Sequence, residues 1–366
     1  MRKFVKTTLL LLAALFTVQA YGLEIRHVQH DRNQLQTPGA EKITVRFDIS
    51  EPAAVTMNFY DGRDLLIRNI DSGKQLASGE HSLSWDGKDN AGRPVPPGAY
   101  HYTLVATDKG QQRVEYDLTD LTGGEDLEVR NVNWDNKQKT LSYLVQKPAR
   151  VNIRIGLQND GPLLRTLLEW VPRAAGTHQE KWDGMDASGV IDLSKHPKRD
   201  IVVLAFSLSD NSILVGAPQS REQLIADMSW ETVEREQKQV SPRRMKTISQ
   251  QPLETRSDYS IHLALPDGLE KTEDGLPVVT GRVPVRLDIA DKDRTRALER
   301  RFEAGFYVDG IMVFENETGF LPMTWYWNTA GMNPGTHYLT TNVRGYEGNF
   351  GMQTVKLYIK PEGKAE

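Results

Sequence analysis

Cysteine is absent from all 366 residues of the chain. Its absence excludes disulfide bonds, cysteine nucleophiles, thiolate metal sites and covalent haem attachment. Stability must therefore come from packed apolar cores, and the hydrophobic fraction of 39% supplies enough side chains to build them. Since domains commonly have about 100–150 residues, the length predicts two to four of them.

An excess of basic charge and the common catalytic motifs are also missing. The formal net charge is -4 at pH 7, so we expect no nucleic-acid partner, whose phosphates favour a basic face. The sequence contains no G-x-S-x-G elbow, no H-E-x-x-H helix and no glycine-rich phosphate loop. We therefore expect a protein without enzyme activity, without a cofactor and without a bound metal.

Residues 1–20 have the pattern of a secretory signal peptide. Basic residues in Met1–Lys6 precede an apolar run, Leu9–Val18, and the small residue Ala20 follows. The run is shorter than the roughly 20 residues of a membrane-spanning helix. We expect cleavage after Ala20, no membrane span in the mature chain, and a periplasmic, extracellular or cell-surface location. The alternative is an N-terminal helix that stays buried or anchors the chain in a membrane.

An internal duplication follows this leader. Four landmarks recur in order at an offset of about 96 positions, one of them Leu66–Arg68 with Leu163–Arg165. The other three pairs are Ile43–Ile49 with Leu141–Val145, Val55–Phe59 with Val151–Ile155, and His81–Gly92 with His178–Gly189. Each copy consists of short alternating strands separated by turn residues, with almost no helical periodicity, and this pattern predicts a β-sandwich.

The end of the first copy, SWDGKDNAGRPVPPGAY, carries a family resemblance. It resembles the Ig-like domain of the flagellar hook-capping protein, the FlgD type, a module that also occurs in exported bacterial proteins without a flagellar role. The motif residues of the first copy are Trp85, Asp86, Gly87, Gly92, Gly98 and Tyr100. The second copy keeps Trp182, Asp183, Gly184 and Gly189 but lacks the Pro-Pro-Gly-x-Tyr part. The resemblance implies tandem Ig-like domains, and the expected signal peptide argues against a flagellar role.

Two groups of side chains raise the question of ion binding. Asp86, Asp89 and Asn90 offer oxygen atoms that calcium could use, but their spacing does not match a known calcium loop. The same residues are typical of turns, in which Asp and Asn side chains accept backbone hydrogen bonds, and we favour this structural role. His27 and His30 have the spacing of metal ligands near the mature N-terminus, in what we expect to be a flexible arm.

A third sandwich is predicted after a polar linker. The linker contains a segment, REQLIADMSWETVEREQK, with the pattern of a short helix. In the third unit Asp309-Gly310 predicts a two-residue hairpin turn. The motif from Trp327 to His337 resembles that of bacterial surface Ig-like domains. The predicted organisation is 1–20 signal peptide, 21–120 first Ig-like domain, 121–216 second, 217–257 linker and 258–366 third.

Function is therefore expected on surfaces. Trp325, Tyr326 and Trp327 are consecutive, so a strand places Tyr326 on the opposite face from the two Trp residues. Either both Trp residues belong to the core, or the group forms an aromatic patch for a glycan or a protein. Arg243 and Arg244, and a second basic cluster from Arg294 to Arg301, are interpreted as loop charge that can also dock an acidic partner. The leading hypothesis is a non-catalytic exported scaffold for an envelope or extracellular protein, and the alternative is a carbohydrate-binding or adhesive module.

Overall fold

The computed structural model describes residues 22–62, 65–118, 125–216 and 257–361. Within these ranges the chain is almost entirely β-strand, and its strands form pairs of sheets in three successive regions. The predicted all-β class with Ig-like sandwiches is confirmed. The predicted signal peptide lies outside the described residues, as does all of the predicted linker except its last residue.

The first sandwich contains eight strands from the N-terminal part of the chain. They are β1 Ile25–His30, β2 Gln34–Leu35, β3 Ile43–Ile49, β4 Ala53–Tyr60, β5 Leu66–Leu76, β6 Gly79–Trp85, β7 Gly98–Asp108 and β8 Arg113–Tyr116. A three-stranded sheet, β1-β3-β6, packs against a larger sheet in which β4 lies between β5 and β7. Every second residue of β3 is buried, as its alternating sequence predicts.

The second sandwich repeats this strand order. Its strands are β9 Asp126–Leu127, β10 Arg130–Asp135, β11 Thr140–Val145, β12 Ala149–Leu157, β13 Leu163–Arg173, β14 Gly176–Lys181 and β15 Arg199–Ser207. The sheet β10-β11-β14 corresponds to β1-β3-β6, and β13-β12-β15 corresponds to β5-β4-β7. The duplication read from the sequence is therefore also a duplication of topology.

The strand that follows, β16 Ser212–Val215, belongs by its hydrogen bonds to the first sandwich. It lies inside the range predicted for the second domain, yet it pairs antiparallel with β7 at Gly98–His101 and parallel with β2. The side chain of Asn211 also donates a hydrogen bond to the Tyr102 carbonyl at 2.7 Å. The second sandwich is thus inserted between two strands of the first. All four residues of β16 are buried, and the last three, Ile213–Val215, are apolar.

The third sandwich has the strand order of the first. Its elements are β17 Ile261–Ala264, β18 Val278–Val279, β19 Arg282–Ile289, α1 Asp291–Arg300, β20 Phe302–Val308, β21 Ile311–Asn316, β22 Met323–Asn328, β23 Gly335–Gly345 and β24 Phe350–Ile359. The sheet β17-β19-β22 packs against β18-β24-β23-β20-β21. The predicted Asp309-Gly310 turn is confirmed, with φ of 51° and 82°.

Helix α1 occupies the region where we expected loop charge. Acidic residues lie in its first turn and Arg300 in its last, an arrangement that the helix dipole favours. The basic cluster is therefore helical, and its side chains form ion pairs with neighbouring acids. The pairs are Arg294 with Asp288, Arg296 with Asp293, and Arg300 with Glu347.

Candidate functional site

The Trp-Asp-Gly turn of the first sandwich is built from internal hydrogen bonds. Trp85 is fully buried, and its indole N–H donates to the Lys88 carbonyl at 2.8 Å. The Asp86 carboxylate accepts the Lys88 backbone N–H at 3.2 Å. Gly87 has φ of 74°, and a side chain there would lie within about 3 Å of Leu35 and Pro38. The turn therefore closes one end of the sandwich around the Trp ring.

Asp89 and Asn90 hold the second half of this turn. The Asp89 carboxylate accepts the backbone N–H groups of Ala91 and Arg93 at 2.9 Å each, and it pairs with the Arg93 guanidinium. Burial opposes ionisation of Asp89, but these hydrogen bonds outweigh it and lower its pKa below the ordinary value. The Asn90 side chain accepts the Asn69 backbone N–H on β5 at 2.9 Å. The oxygen atoms that suggested calcium are thus used by the turn itself.

The second sandwich rebuilds the turn from its own copy. The Trp182 indole N–H donates to the Met185 carbonyl at 2.9 Å, and Asp183 accepts the Met185 backbone N–H at 2.9 Å. Asp186 accepts two backbone N–H groups, as Asp89 does. Ala187 keeps only the backbone hydrogen bond to the neighbouring strand. The shared residues are those that make the turn.

The remaining motif residues start or shape strands. Gly98 begins β7, and the Tyr100 hydroxyl donates back to the Pro96 carbonyl at 2.7 Å. Tyr100 also meets Trp85 edge to face, with 5.7 Å between ring centroids. Gly92, Gly184 and Gly189 all have positive φ, of 80°, 91° and 70°. Their structural roles are visible in the geometry, and any further role in binding stays a prediction.

His27 and His30 lie in β1 rather than in a flexible arm, because β1 pairs with β3. They also have different partners. The imidazole of His27 contacts the Asp48 carboxylate at 2.7 Å, whereas His30 contacts the Tyr102 hydroxyl at 3.2 Å. Burial lowers the pKa of His30 below its ordinary value. Among the described residues, no group of three or more His, Asp or Glu side chains is arranged to hold a metal ion.

The aromatic stretch Trp325-Tyr326-Trp327 lies in β22, at an edge of its sheet. Trp327 is only 2% exposed and packs in the core of the third sandwich. Trp325 is half-buried and stacks on Phe314 at 5.4 Å. Tyr326 points the other way, is 55% exposed, and has the Arg282 guanidinium 4.5 Å from its ring centroid. The exposed part of the stretch is therefore a tyrosine with an arginine. Arg243 and Arg244 lie outside the described residues.

A polar clamp joins the second and third sandwiches, and no sequence motif indicated it. Its centre is Asp258, whose carboxylate accepts the Thr166 hydroxyl at 2.6 Å and the Phe350 backbone N–H at 2.8 Å. Arg154 of β12 pairs with Asp258 at 3.3 Å and lies 4.2 Å from the centroid of the Phe350 ring. Both members of this ion pair are largely buried. We call Arg154, Thr166, Asp258 and Phe350 the Asp258 clamp.

Two further contacts extend the junction. Asn342 of β23 exchanges two hydrogen bonds with the backbone of Leu163, at 2.7 and 2.8 Å, so its amide imitates a strand partner. The Ser188 hydroxyl accepts the Thr354 backbone N–H at 2.8 Å. Beside the junction is a cleft of about 440 Å³. It is lined from the second sandwich by Leu157–Asp160 and His196–Lys198, and from the third by Asp309–Met312.

Comparison with known proteins agrees with the motif. The family model described as "FlgD Ig-like domain" matches residues 32–110, which confirms the FlgD-type resemblance of the first sandwich. This range ends before β16, as expected if the second sandwich interrupts the module. The basal-body rod modification protein FlgD of Salmonella typhimurium is 34% identical over 83 residues, or 22% of this chain and 35% of the relative. The chain thus spans about a third of the length of the curated relatives that it matches.

Solved structures resemble parts of the fold. FlgD from P. aeruginosa matches 25% of this chain and 67% of that chain, with 21% identity and a TM-score of 0.21. A tetra-tandem repeat from the extending region of a large adhesion protein matches 92% of this chain and 74% of that chain, with 13% identity and a TM-score of 0.20. In the described ranges, no helix is long and apolar enough to cross a membrane.

Proposed function

We propose that the chain is an exported, non-catalytic scaffold that binds or positions another component of the cell envelope or the extracellular space. The observation that carries this proposal is the Asp258 clamp, together with the insertion of the second sandwich into the first. Scaffolds need surfaces held at fixed separations, and the three sandwiches are joined by buried contacts as well as by chain connections. The match to a FlgD Ig-like domain supports the proposal, because the relatives are named for modifying the basal-body rod, a larger assembly.

The test is recovery of a partner from the native cell. The full chain, tagged at its C-terminus, is cross-linked in living cells and purified from the envelope and medium fractions. We expect an exported chain whose N-terminus begins after Ala20, together with one exported component in a constant ratio. Retention in the cytoplasm, or a chain that has no constant companion in any fraction, would contradict the proposal.

The exposed Tyr326–Arg282 pair favours a second candidate, a carbohydrate-binding or adhesive module. Aromatic rings with a neighbouring arginine suit both the apolar face of a sugar and its hydroxyl groups. We would measure binding of the full chain to a glycan array, with Tyr326→Ala as the variant and Tyr338→Ala as a control on the same sandwich. Binding that Tyr326→Ala removes would support this function, and an array without binding would contradict it.

A further inference from the structure

The tip of the β20–β21 hairpin is seated on the second sandwich. Gly310 lies at this tip, and a Cβ atom added to it would be only 2.8 Å from Leu157 Cδ1. The tip therefore packs directly against the end of β12. The cleft beside the junction opens next to this contact, because Asp309–Met312 and Leu157 all line it. We call the contact between Gly310 and Leu157 the hairpin seat.

The hairpin seat and the Asp258 clamp are at different places along the junction. Next to the tip, Val308 of β20 pairs with Leu339 of β23. Phe350 of the clamp pairs with Arg344, near the C-terminal end of β23. Because a strand rises about 3.3 Å per residue, these two pairs are about 17 Å apart. The seat can therefore loosen while the clamp stays closed.

Asp309 fixes the position of the tip on the third sandwich. Its backbone N–H donates to the Tyr338 carbonyl at 3.0 Å, and its carboxylate accepts the Tyr338 backbone N–H at 2.9 Å. The other carboxylate oxygen contacts Nδ1 of His337 at 2.6 Å. The side chain of His337 is only 12% exposed, so water competes little for this contact.

His337 needs two protons to make both of its contacts. Nδ1 faces the Asp309 carboxylate, and Nε2 faces the Asn333 carbonyl at 2.8 Å. Both partners are acceptors, and only the imidazolium carries an N–H on each ring nitrogen. A neutral ring donates to one partner and directs a lone pair at the other oxygen. Loss of the proton therefore removes one of the two contacts, whichever tautomer forms.

Asp309 is also the charge that acts on His337. On β24 the residue opposite His337 is the apolar Leu357, and Lys356 lies over the Tyr338 ring, 5.9 Å from its centroid. Burial lowers the pKa of His337, but hydrogen bonds, first of all to Asp309, outweigh this and raise it above the ordinary 6.5. Both contacts are therefore present in mild acid and are lost as pH rises through the raised value.

The second sandwich brings its own titratable groups to the cleft. They are Asp160, His196 and Lys198, which line the wall that faces the hairpin. Asp160 and Lys198 have opposite charges, so together they exert little net force on the Asp309 carboxylate. The position of the tip thus depends mainly on His337, and His196 is the group that a titration must control for.

We propose that His337 is a pH-sensitive latch for the junction between the second and third sandwiches. With the proton bound, Asp309 and Asn333 are both tied to the ring, and the tip stays on Leu157. Without the proton, the tip leaves the hairpin seat and the cleft varies in width, while the Asp258 clamp stays closed. This inference deepens the proposed scaffold function and rests on it, since it describes how the spacing of the scaffold is regulated.

The test measures the width of the cleft in the full chain by electron double resonance. Spin labels are attached to Lys195→Cys and Val313→Cys, two exposed positions next to the cleft residues His196 and Met312. We expect a distance distribution at least about 1.5 times broader at about pH 8.5 than at about pH 5.5. Equal widths at the two pH values would overturn the proposal.

Two substitutions in the labelled chain separate the two imidazoles of this region. His337→Gln removes the titrating ring and should give one width at both pH values. His196→Gln is the matched control in the same cleft, and it should keep the full pH response of the parent. A response that His196→Gln removes, or that His337→Gln leaves intact, would overturn the assignment to His337.

Asp309→Asn keeps the proposal testable if His337→Gln does not fold. It removes the charge that favours the imidazolium, so the pH at which the distribution broadens should fall, and an unchanged midpoint would contradict the latch. None of these measurements needs a partner. A constant width in a chain that still recovers its envelope partner would reject the latch alone, and a responsive chain without a partner would reject the scaffold function alone.

Discussion

Trp85 and Trp182 have the same structural role in the first and second sandwiches. Each ring fills the end of a core, and each indole N–H satisfies a turn carbonyl three residues later. Trp85 also stacks on Phe59, with 4.0 Å between ring centroids. The Trp-Asp-Gly pattern was interpreted from the sequence as a structural turn, because local turn chemistry accounts for every member of it. The side-chain partners of His27 and His30 could not be predicted from the sequence, since these partners come from strands distant in the chain.

Replacing Trp85 with phenylalanine tests this role. The variant keeps an aromatic ring but leaves the Lys88 carbonyl without its donor and part of the cavity unfilled. We expect the free energy of unfolding to fall by about 1–3 kcal/mol. Tyr326→Ala, on an exposed site, should change it by less than about 1 kcal/mol. Urea unfolding compares the two, and equal losses would contradict a structural role for Trp85.

His337 makes the third sandwich sensitive to pH. Burial opposes its protonation, but its hydrogen bonds to the Asp309 carboxylate and the Asn333 carbonyl outweigh this and raise its pKa above the ordinary 6.5. A raised pKa means that its contribution to stability is complete below pH 6.5 and is lost as pH rises through the folded value.

Asp309→Asn removes the charge that favours protonated His337 while suiting the positive φ of the hairpin turn. We expect the pKa of His337, followed by NMR titration, to fall towards the ordinary value in the variant. The loss of stability above pH 6.5 should shrink with it. A pKa that is the same in parent and variant would show that Asp309 does not set it.

Strands and helix differ in how well the sequence predicts them. Apolar and polar residues alternate over five or more positions in four strands, β3, β4, β11 and β12, so these strands were predictable. The Asp309-Gly310 turn was predictable because it requires positive φ at both residues. β16 was not assigned, because a four-residue strand with only three apolar residues does not indicate which sheet it joins. Helix α1 was missed because its residues are mostly charged and give little apolar periodicity. Its ion pairs with Asp288 and Glu347 form only in the folded chain.

The placement of β16 predicts that a substitution in this strand destabilises the first sandwich, although most of that sandwich lies more than 100 residues earlier in the chain. Ile213 is fully buried in the core of the first sandwich. Ile213→Ala should lower the free energy of unfolding by about 2–5 kcal/mol and increase amide exchange in β7 and β4. Val202→Ala, on the exposed face of β15, is the matched control. Faster exchange confined to the second sandwich would show that β16 does not belong to the first.

At the scale of the whole molecule, the arrangement depends on contacts that sequence patterns do not reveal. The Asp258 clamp joins residues from β12, β13 and β24 that are far apart in the chain. Removing one member of an ion pair in which both charges are buried lowers stability strongly, because the remaining buried charge loses its partner. The clamp should therefore hold the second and third sandwiches in one orientation, which is the property that the proposed scaffold needs.

The most direct test of this claim is a distance between the two sandwiches. Because the chain has no cysteine, spin labels can be attached to Gln179→Cys on β14 and Thr324→Cys on β22, both exposed. Electron double resonance should give one narrow distance distribution. Arg154→Met should broaden it, and Arg130→Met, in an exposed ion pair, should leave it narrow. A broad distribution in the parent, unchanged by Arg154→Met, would contradict the account of a scaffold with fixed geometry.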